Sequence, residues 1–241
     1  MIVPACNASG TIEDTLSRLA LLPGGPPTEI LVVENGSDDD TWELLERIQK
    51  DWDNPPALVV LRSERGIGAA YRAGAATARG DWLLLTADDL PFGTSDVEAV
   101  LACRALPRFA IGSKAHPRSR VPRSLPRRVA TRVFRLLRRA LLGLEVGDTQ
   151  GTFMIEGTLA RRLIAATTVN GFGMTTELVA LAVRSGQHPT ELPVVLGPAV
   201  TPSRINWVKD VLDMLGTLIR LRRLLGPVRR PSTSRPSQIG A

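Results

Sequence analysis

The chain has 241 residues, 44% hydrophobic and 22% charged, enough apolar content for one sizeable core, which excludes wholesale disorder. No run approaches the roughly 18 apolar residues that cross a bilayer, the N-terminus has no signal-peptide pattern, and two cysteines and two histidines exclude a disulfide framework or a Cys/His zinc cluster. The net charge of +6 is split unevenly: residues 1–100 hold 7 Lys/Arg against 17 Asp/Glu (−10), and residues 101–241 hold 23 against 7 (+16).

In chain order, Ile2–Pro4 is a short apolar start, and Thr11–Leu22 has helical spacing through Ile12, Leu16, Leu19 and Ala20. Glu29–Val33 reads as a buried strand, Thr41–Lys50 as a helix, Ala57–Leu61 as a second buried strand and Gly68–Thr77 as a small-residue helix. Trp82–Thr86 is a third strand. A Ser95–Glu98 capping box then opens a helix to about Ala105. Phe109–Ile111, Phe153–Ile155 and Glu191–Val195 are further strand candidates, with helices near 158–166 and 175–184. Val129–Leu144 is an amphipathic helix with Arg128, Arg132, Arg135 and Arg139 on one face, and Trp207–Leu225 is another. The Pro/Ser/Arg-rich segment 226–241 reads as a disordered tail.

Apolar strands alternating with helices predict an α/β fold, a mostly parallel central sheet with helices on both faces and a C-terminal amphipathic helix. Ligands of such sheets bind beyond the carboxyl ends of the strands. Asp88 and Asp89 follow the third strand, where one carboxylate would reach a divalent cation and the other a ribose or base; the alternative is a helix cap or turn. Asp38–Asp40 read as an Asx turn capping the next helix. Gly66-Ile-Gly68 with Arg72 reads either as a phosphate-facing loop at a helix start or as close helix packing. Between residues 104 and 139 there are 12 basic residues and no acidic one, a field that attracts phosphates or anionic lipid. Ten aromatics in the chain, one of them (Phe134) in 110–139, leave no stacking platform, so nucleic acid is not the expected partner.

The motifs occur in a telling series: Val3-Pro-Ala-Cys-Asn7, Val33-Glu-Asn-Gly-Ser37, Gly66-Ile-Gly-Ala-Ala70 with Arg72, Ala78-Arg-Gly-Asp81, Thr86-Ala-Asp-Asp-Leu90, Ile111-Gly-Ser-Lys114, Asp148-Thr-Gln150 and Gly171–Leu178 with Glu177. Their order resembles the family-2 glycosyltransferases of GT-A fold, in the branch that glucosylates or mannosylates polyprenyl (dolichyl) phosphates. The resemblance runs to about residue 225 and implies one GT-A domain over 1–225, with a nucleotide-sugar half (1–100) and an acceptor half (101–225). It implies that Pro4, Ala5, Asn7, Glu34, Ser37, Gly68, Arg72 and Asp88 bind the nucleotide sugar. It also implies that Asp89, with Asp88, holds Mg²⁺ or Mn²⁺, that Asp89 and Glu177 are catalytic, and that Lys114, Arg127 and Thr131 hold the acceptor phosphate. The implied reaction is an inverting transfer of a hexose from a nucleotide-diphosphate sugar, UDP-glucose before GDP-mannose, to polyprenyl phosphate. The implied location is cytoplasmic, peripheral on an anionic membrane face. Ala87, Ile67 and Thr175 depart from the family's Asp, Lys and Asp. Those departures leave two other readings open, a soluble glycan or natural-product acceptor and a catalytically silent nucleotide-sugar-binding homologue.

Overall fold

The computed structural model describes all residues except 23, 26, 54, 122–124, 198–206 and 227–241, and leaves aside the side chains of 125–128 and 207–213. The disordered tail expected at 226–241 therefore lies, beyond Gly226, outside the described residues. Among the described residues fifteen elements follow one another: β1 (Ile2–Ala5), α1 (Ile12–Ala20), β2 (Glu29–Glu34), α2 (Thr41–Asp51), β3 (Ala57–Arg62), α3 (Ile67–Thr77), β4 (Trp82–Leu85), α4 (Ser95–Leu101), β5 (Phe109–Ser113), α5 (Leu125–Leu142), β6 (Thr152–Glu156), α6 (Gly157–Ala165), α7 (Gly173–Arg184), β7 (Thr190–Pro193) and α8 (Trp207–Leu225).

The seven strands form one sheet in the order β3-β2-β1-β4-β6-β5-β7. Side chains alternate across it with the strand period of two. Ile2, Leu31, Val33, Leu83 and Leu85 face the core shared with α3, α6 and α7, whereas Val3, Ile30, Val32 and Leu84 face the core shared with α1 and α2. Both faces are covered, which is why these strands read as unbroken apolar runs.

One strand departs from the parallel expectation. β6 runs antiparallel to both β4 and β5, pairing Leu84 with Met154 and Ile111 with Phe153. The chain lays β2 and β3 on one side of β1 and β4 on the other, so the direction of winding reverses between β1 and β4. That reversal opens a crevice at the strand carboxyl ends, where ligands of such sheets bind.

Two helix boundaries also differ. α4 ends at Leu101, short of Ala105, and its N-cap is Thr94, whose hydroxyl donates to Glu98 Oε1 at 2.7 Å. The expected cap, Ser95, instead donates to the Phe92 carbonyl and accepts the Val195 N–H at 3.0 Å, tying the helix start to the segment after β7. α5 starts four residues earlier than its apolar pattern and stops at Gly143, which takes φ +71° and donates to the Arg139 carbonyl.

Candidate active site

The turns after β1 and β2 are laced together. Pro4 and Ala5 are buried at the end of β1. Asn7 takes the left-handed region (φ +54°), its N–H donates to Ser37 Oγ at 3.0 Å, and its Oδ1 accepts the Asp38 N–H at 2.8 Å. Glu34 is buried; one carboxylate oxygen accepts the N–H groups of Gly36 and Ser37 at 2.7 and 2.6 Å, and the other lies 3.5 Å from Arg62 Nε. Asn7, Glu34 and Ser37 thus meet in one cluster, and Glu34 spends one oxygen on building its own turn. The Asx turn is formed by Asp39, whose carboxylate accepts the Thr41 N–H at 3.1 Å and the Thr41 hydroxyl at 2.5 Å.

Gly66 and Gly68 serve close packing, the second of the two readings their sequence allows. A Cβ on either would overlap a backbone carbonyl, that of Asn170 or Val169 respectively, and the Gly68 N–H donates to the Asn170 carbonyl at 2.7 Å. The start of α3 is therefore capped by the 167–170 segment. Arg72 holds the same segment, donating to the Val169 carbonyl at 3.2 Å, to Thr167 Oγ1 at 3.4 Å and to Asn170 Oδ1. From the other side the buried Glu177 carboxylate accepts the N–H groups of Thr168 and Val169 (2.9 Å each) and the Thr168 hydroxyl (3.0 Å). Two charged groups, one on α3 and one on α7, clamp a single loop.

Beyond β4 the backbone is pinned from two helices. Tyr71 donates to the Thr86 carbonyl at 2.9 Å, and Thr15 donates to the Asp88 carbonyl at 2.5 Å. Burial, and then the charge of Asp89, push the Asp88 carboxyl up to about 6. Asp89 is exposed beside it. Among the described residues no three His, Cys, Asp or Glu side chains gather as a metal cage. Two adjacent carboxylates nonetheless suit a hard cation that takes one or two protein carboxylates and completes its shell with substrate phosphates and water. The cost of holding a second negative charge at Asp88 is what such a cation would relieve.

In the second half, Lys114 follows β5. Its Nζ donates to the Gln150 carbonyl at 2.6 Å, lies 3.9 Å from Asp148 and sits 5.7 Å over the Phe92 ring, three residues past Asp89. Lys114 also lines a cavity of about 450 Å³ with Ser119, Thr131, Arg132, Arg135 and Gly147. Lys114 and Thr131, both of which the resemblance assigns to the acceptor phosphate, line this cavity, while the Arg127 side chain, expected to act with Thr131, lies outside the described residues. Arg132 and Arg135 were legible as a basic face but not as cavity wall; Arg135 lies four residues from Thr131 and three from Arg132, the spacings at which helix side chains are neighbours.

Arg138 is the residue that sequence reasoning missed. It is 1% exposed, donates to Thr149 Oγ1 at 3.0 Å and to the Val146 carbonyl, and its Nε has no partner. Burial lowers its pKa, opposed by the negative charges of Asp148 and Glu191. Glu191 accepts the N–H groups of Gly147 and Asp148, and Asp148 those of Lys114 and Gln150. The segment 146–150 is thus fastened to α5 and to the edge of the sheet.

Known proteins resemble this chain in sequence and in fold. The sequence model of Glycosyl transferase family 2 matches residues 1–155. Glycosyltransferase AglD of Haloferax volcanii is 26% identical over 228 residues, covering 91% of this chain, which spans 36% of the archaeal protein. Dolichyl-phosphate beta-glucosyltransferase of Mus musculus is 28% identical over 227 residues, covering 87% of this chain and 68% of the mouse protein. Among solved structures, glucosyl-3-phosphoglycerate synthase of Mycobacterium tuberculosis with Mn²⁺, UDP-glucose and phosphoglyceric acid superposes with a TM-score of 0.62 at 18% identity, over 92% of this chain and 77% of that one.

Proposed function

The chain belongs to the family-2 glycosyltransferases, and from that premise we propose that it transfers a hexose from a nucleotide-diphosphate sugar, UDP-glucose before GDP-mannose, to a polyprenyl phosphate at a cytoplasmic membrane face. The observation that carries the reading is the basic cavity walled by Lys114, Thr131, Arg132 and Arg135, whose Lys114 also sits over the Phe92 ring, three residues past Asp89. A donor diphosphate at the carboxylate turn after β4 and an acceptor phosphate in that cavity would be neighbours. The mouse relative's lipid-phosphate acceptor supports the acceptor class.

In this reading Asn7, Glu34 and Ser37 meet the nucleoside with Pro4 and Ala5 behind them, while Gly68, Arg72 and Glu177 act at one remove by fixing the 167–170 segment. Asp89 and Asp88 would hold Mg²⁺ or Mn²⁺, which supplies positive charge to the leaving diphosphate. Lys114, Thr131 and Arg127, with Arg132 and Arg135, hold the acceptor phosphate. Arginine forks match phosphate oxygens in pairs. An acceptor phosphate oxygen attacks the anomeric carbon from the face opposite the leaving group, a new C–O bond forms, and the bond to the diphosphate breaks with its electron pair. The anomeric configuration inverts.

No helix among the described residues is long and apolar enough to cross a membrane. The mycobacterial synthase was crystallised with a small phosphorylated acid, so a soluble phosphorylated acceptor is the competing case. The test is incubation with Mn²⁺, labelled UDP-glucose and a short-chain polyprenyl phosphate, followed by counting label that partitions into organic solvent. Metal-dependent, organic-soluble label that Asp89→Asn abolishes is the expected result. Label appearing only on phosphoglycerate, or turnover unchanged in Asp89→Asn, would overturn it.

A further inference from the structure

We propose that α5 carries a bilayer-docking face, an uncovered apolar stripe of Val129, Val133, Leu136 and Ala140 that seats the protein on anionic lipid beside the acceptor cavity. The lipid-phosphate reading above is needed only for what the cavity receives. The docking face itself stands on exposure, spacing and charge.

Helices on a globular protein have one apolar stripe and turn it inward. α5 satisfies this with Phe134, Leu137, Leu141 and Leu142, all packed against the main core. It then has a second stripe. Val129 is 59% exposed, Val133 49% and Leu136 64%, and Ala140 is exposed too. Their spacings of four, three and four residues place them in one arc of about 60° at 100° per residue. Arg132, Arg135 and Arg139 occupy the adjoining arc, and the first two already wall the cavity. Around the helix the order is core, cavity wall, apolar stripe.

Charge selects the occupant. Residues 104–139 hold 12 basic side chains and no acidic one. A second copy of this chain would set arginine against arginine, a like-charge contact that costs stability. An anionic leaflet accepts the arginines while the aliphatic stripe enters the headgroup boundary, the arrangement of interfacial helices. α8, which packs beside α5, repeats the composition with exposed Ile219, Leu224, Arg220, Arg222 and Arg223. One helix would then hold the phosphate and hold the membrane, so an acceptor embedded in the bilayer arrives with its headgroup already at the cavity.

The experiment is co-sedimentation of the full chain with vesicles of phosphatidylcholine and phosphatidylglycerol, and with phosphatidylcholine alone. Wild type should sediment with the anionic vesicles, less so as salt rises. The double variant Val133→Gln/Leu136→Gln should bind them at least about tenfold more weakly. The same variant should keep the wild-type melting temperature and its transfer to a short-chain polyprenyl phosphate in solution. Val129→Gln is the second variant, at the helix start, should the double change unsettle the fold. Failure of wild type to sediment, or equal binding by both variants, would overturn the docking face. So would a wild-type dimer on gel filtration that either variant converts to monomer, since that assigns the stripe to a second copy. Loss of transfer to the soluble short-chain acceptor by every form, with vesicle binding intact, would count against the proposed reaction and leave the docking face standing.

Discussion

Gly68→Ala separates the two meanings of a glycine pair at a helix start. A Cβ at position 68 would overlap the Val169 carbonyl oxygen and lie 2.9 Å from Met174 Cβ, in a spot where the Gly68 N–H also donates to Asn170. The loop has little freedom to retreat, because Arg72 and Glu177 hold it from opposite sides. Overpacking of this kind costs about 1–3 kcal/mol, and a weakened hydrogen bond adds about 1 kcal/mol. Helix propensity returns about 1 kcal/mol at most when glycine becomes alanine. The net loss is about 2 kcal/mol, or about 4–8 °C in melting temperature for a chain of this size. Differential scanning fluorimetry of the protein without nucleotide measures it directly, with UDP and Mn²⁺ added in parallel. An unchanged melting temperature without nucleotide, combined with loss of the UDP-induced shift, would refute the packing argument and return Gly68 to a phosphate-facing role.

Three other perturbations follow from the same contacts. Glu177→Gln keeps one acceptor oxygen where three donors converge, so urea unfolding should show a loss of about 2–3 kcal/mol; a purely chemical role would leave the midpoint unmoved. Arg138→Met removes the buried charge facing Asp148 and Glu191 and should lower stability by about 3 kcal/mol. Arg138→Lys should fail to restore it, because an ammonium lacks the fork that reaches both Thr149 and Val146. Asp96 is buried, and desolvation raises its pKa above 3.8 against the opposing hydrogen bonds from Thr152 and Val97. A carboxyl raised in the folded state binds its proton more tightly there than when unfolded, so its stabilising contribution is full below pH 3.8 and fades as pH rises through the folded value. The melting temperature of Asp96→Asn minus that of wild type should therefore grow between pH 3.5 and 7, and a flat difference would contradict this.

The strands and helices were legible because burial writes them as apolar runs and amphipathic spacing. What was not legible depended on partners distant in the chain. Phe153 and Ile155 mark a strand, but no side-chain pattern encodes that β6 enters the sheet antiparallel. Ser95 has the capping residue's chemistry, yet its hydroxyl is taken by Val195, 100 residues away, and Thr94, at the N-cap position, gives its hydroxyl to the Glu98 side chain. Arg138 sits among surface-like arginines in the sequence. Only the fold reveals Thr149 and Val146 beneath it. The acidic turn at Asp88 was legible because it follows an unmistakable strand. Lys114 and Thr131, which the resemblance assigns to one ligand, both line the cavity.

The chemistry of the cavity bears on which acceptor it suits. A hydroxyl acceptor needs a carboxylate free to take its proton in the transition state. The described carboxylates fastened around this cavity are committed elsewhere: Asp148 accepts the Lys114 and Gln150 N–H groups, and Glu191 accepts Gly147, Asp148 and the Ser113 hydroxyl. At position 175, where the resemblance leads one to expect an Asp, the buried Thr175 turns its hydroxyl to the Phe172 carbonyl of its own helix turn. A phosphate monoester is already an anion near neutral pH and asks for cations and orientation; Lys114, Arg132 and Arg135 line this cavity. The departure that counts most heavily against a hydroxyl-activating enzyme is the one a phosphate acceptor makes affordable. A Thr175→Asp variant should therefore gain no transfer to sugar hydroxyls and should lose stability, since it puts a carboxylate at a buried position and removes the hydroxyl that bonds the Phe172 carbonyl.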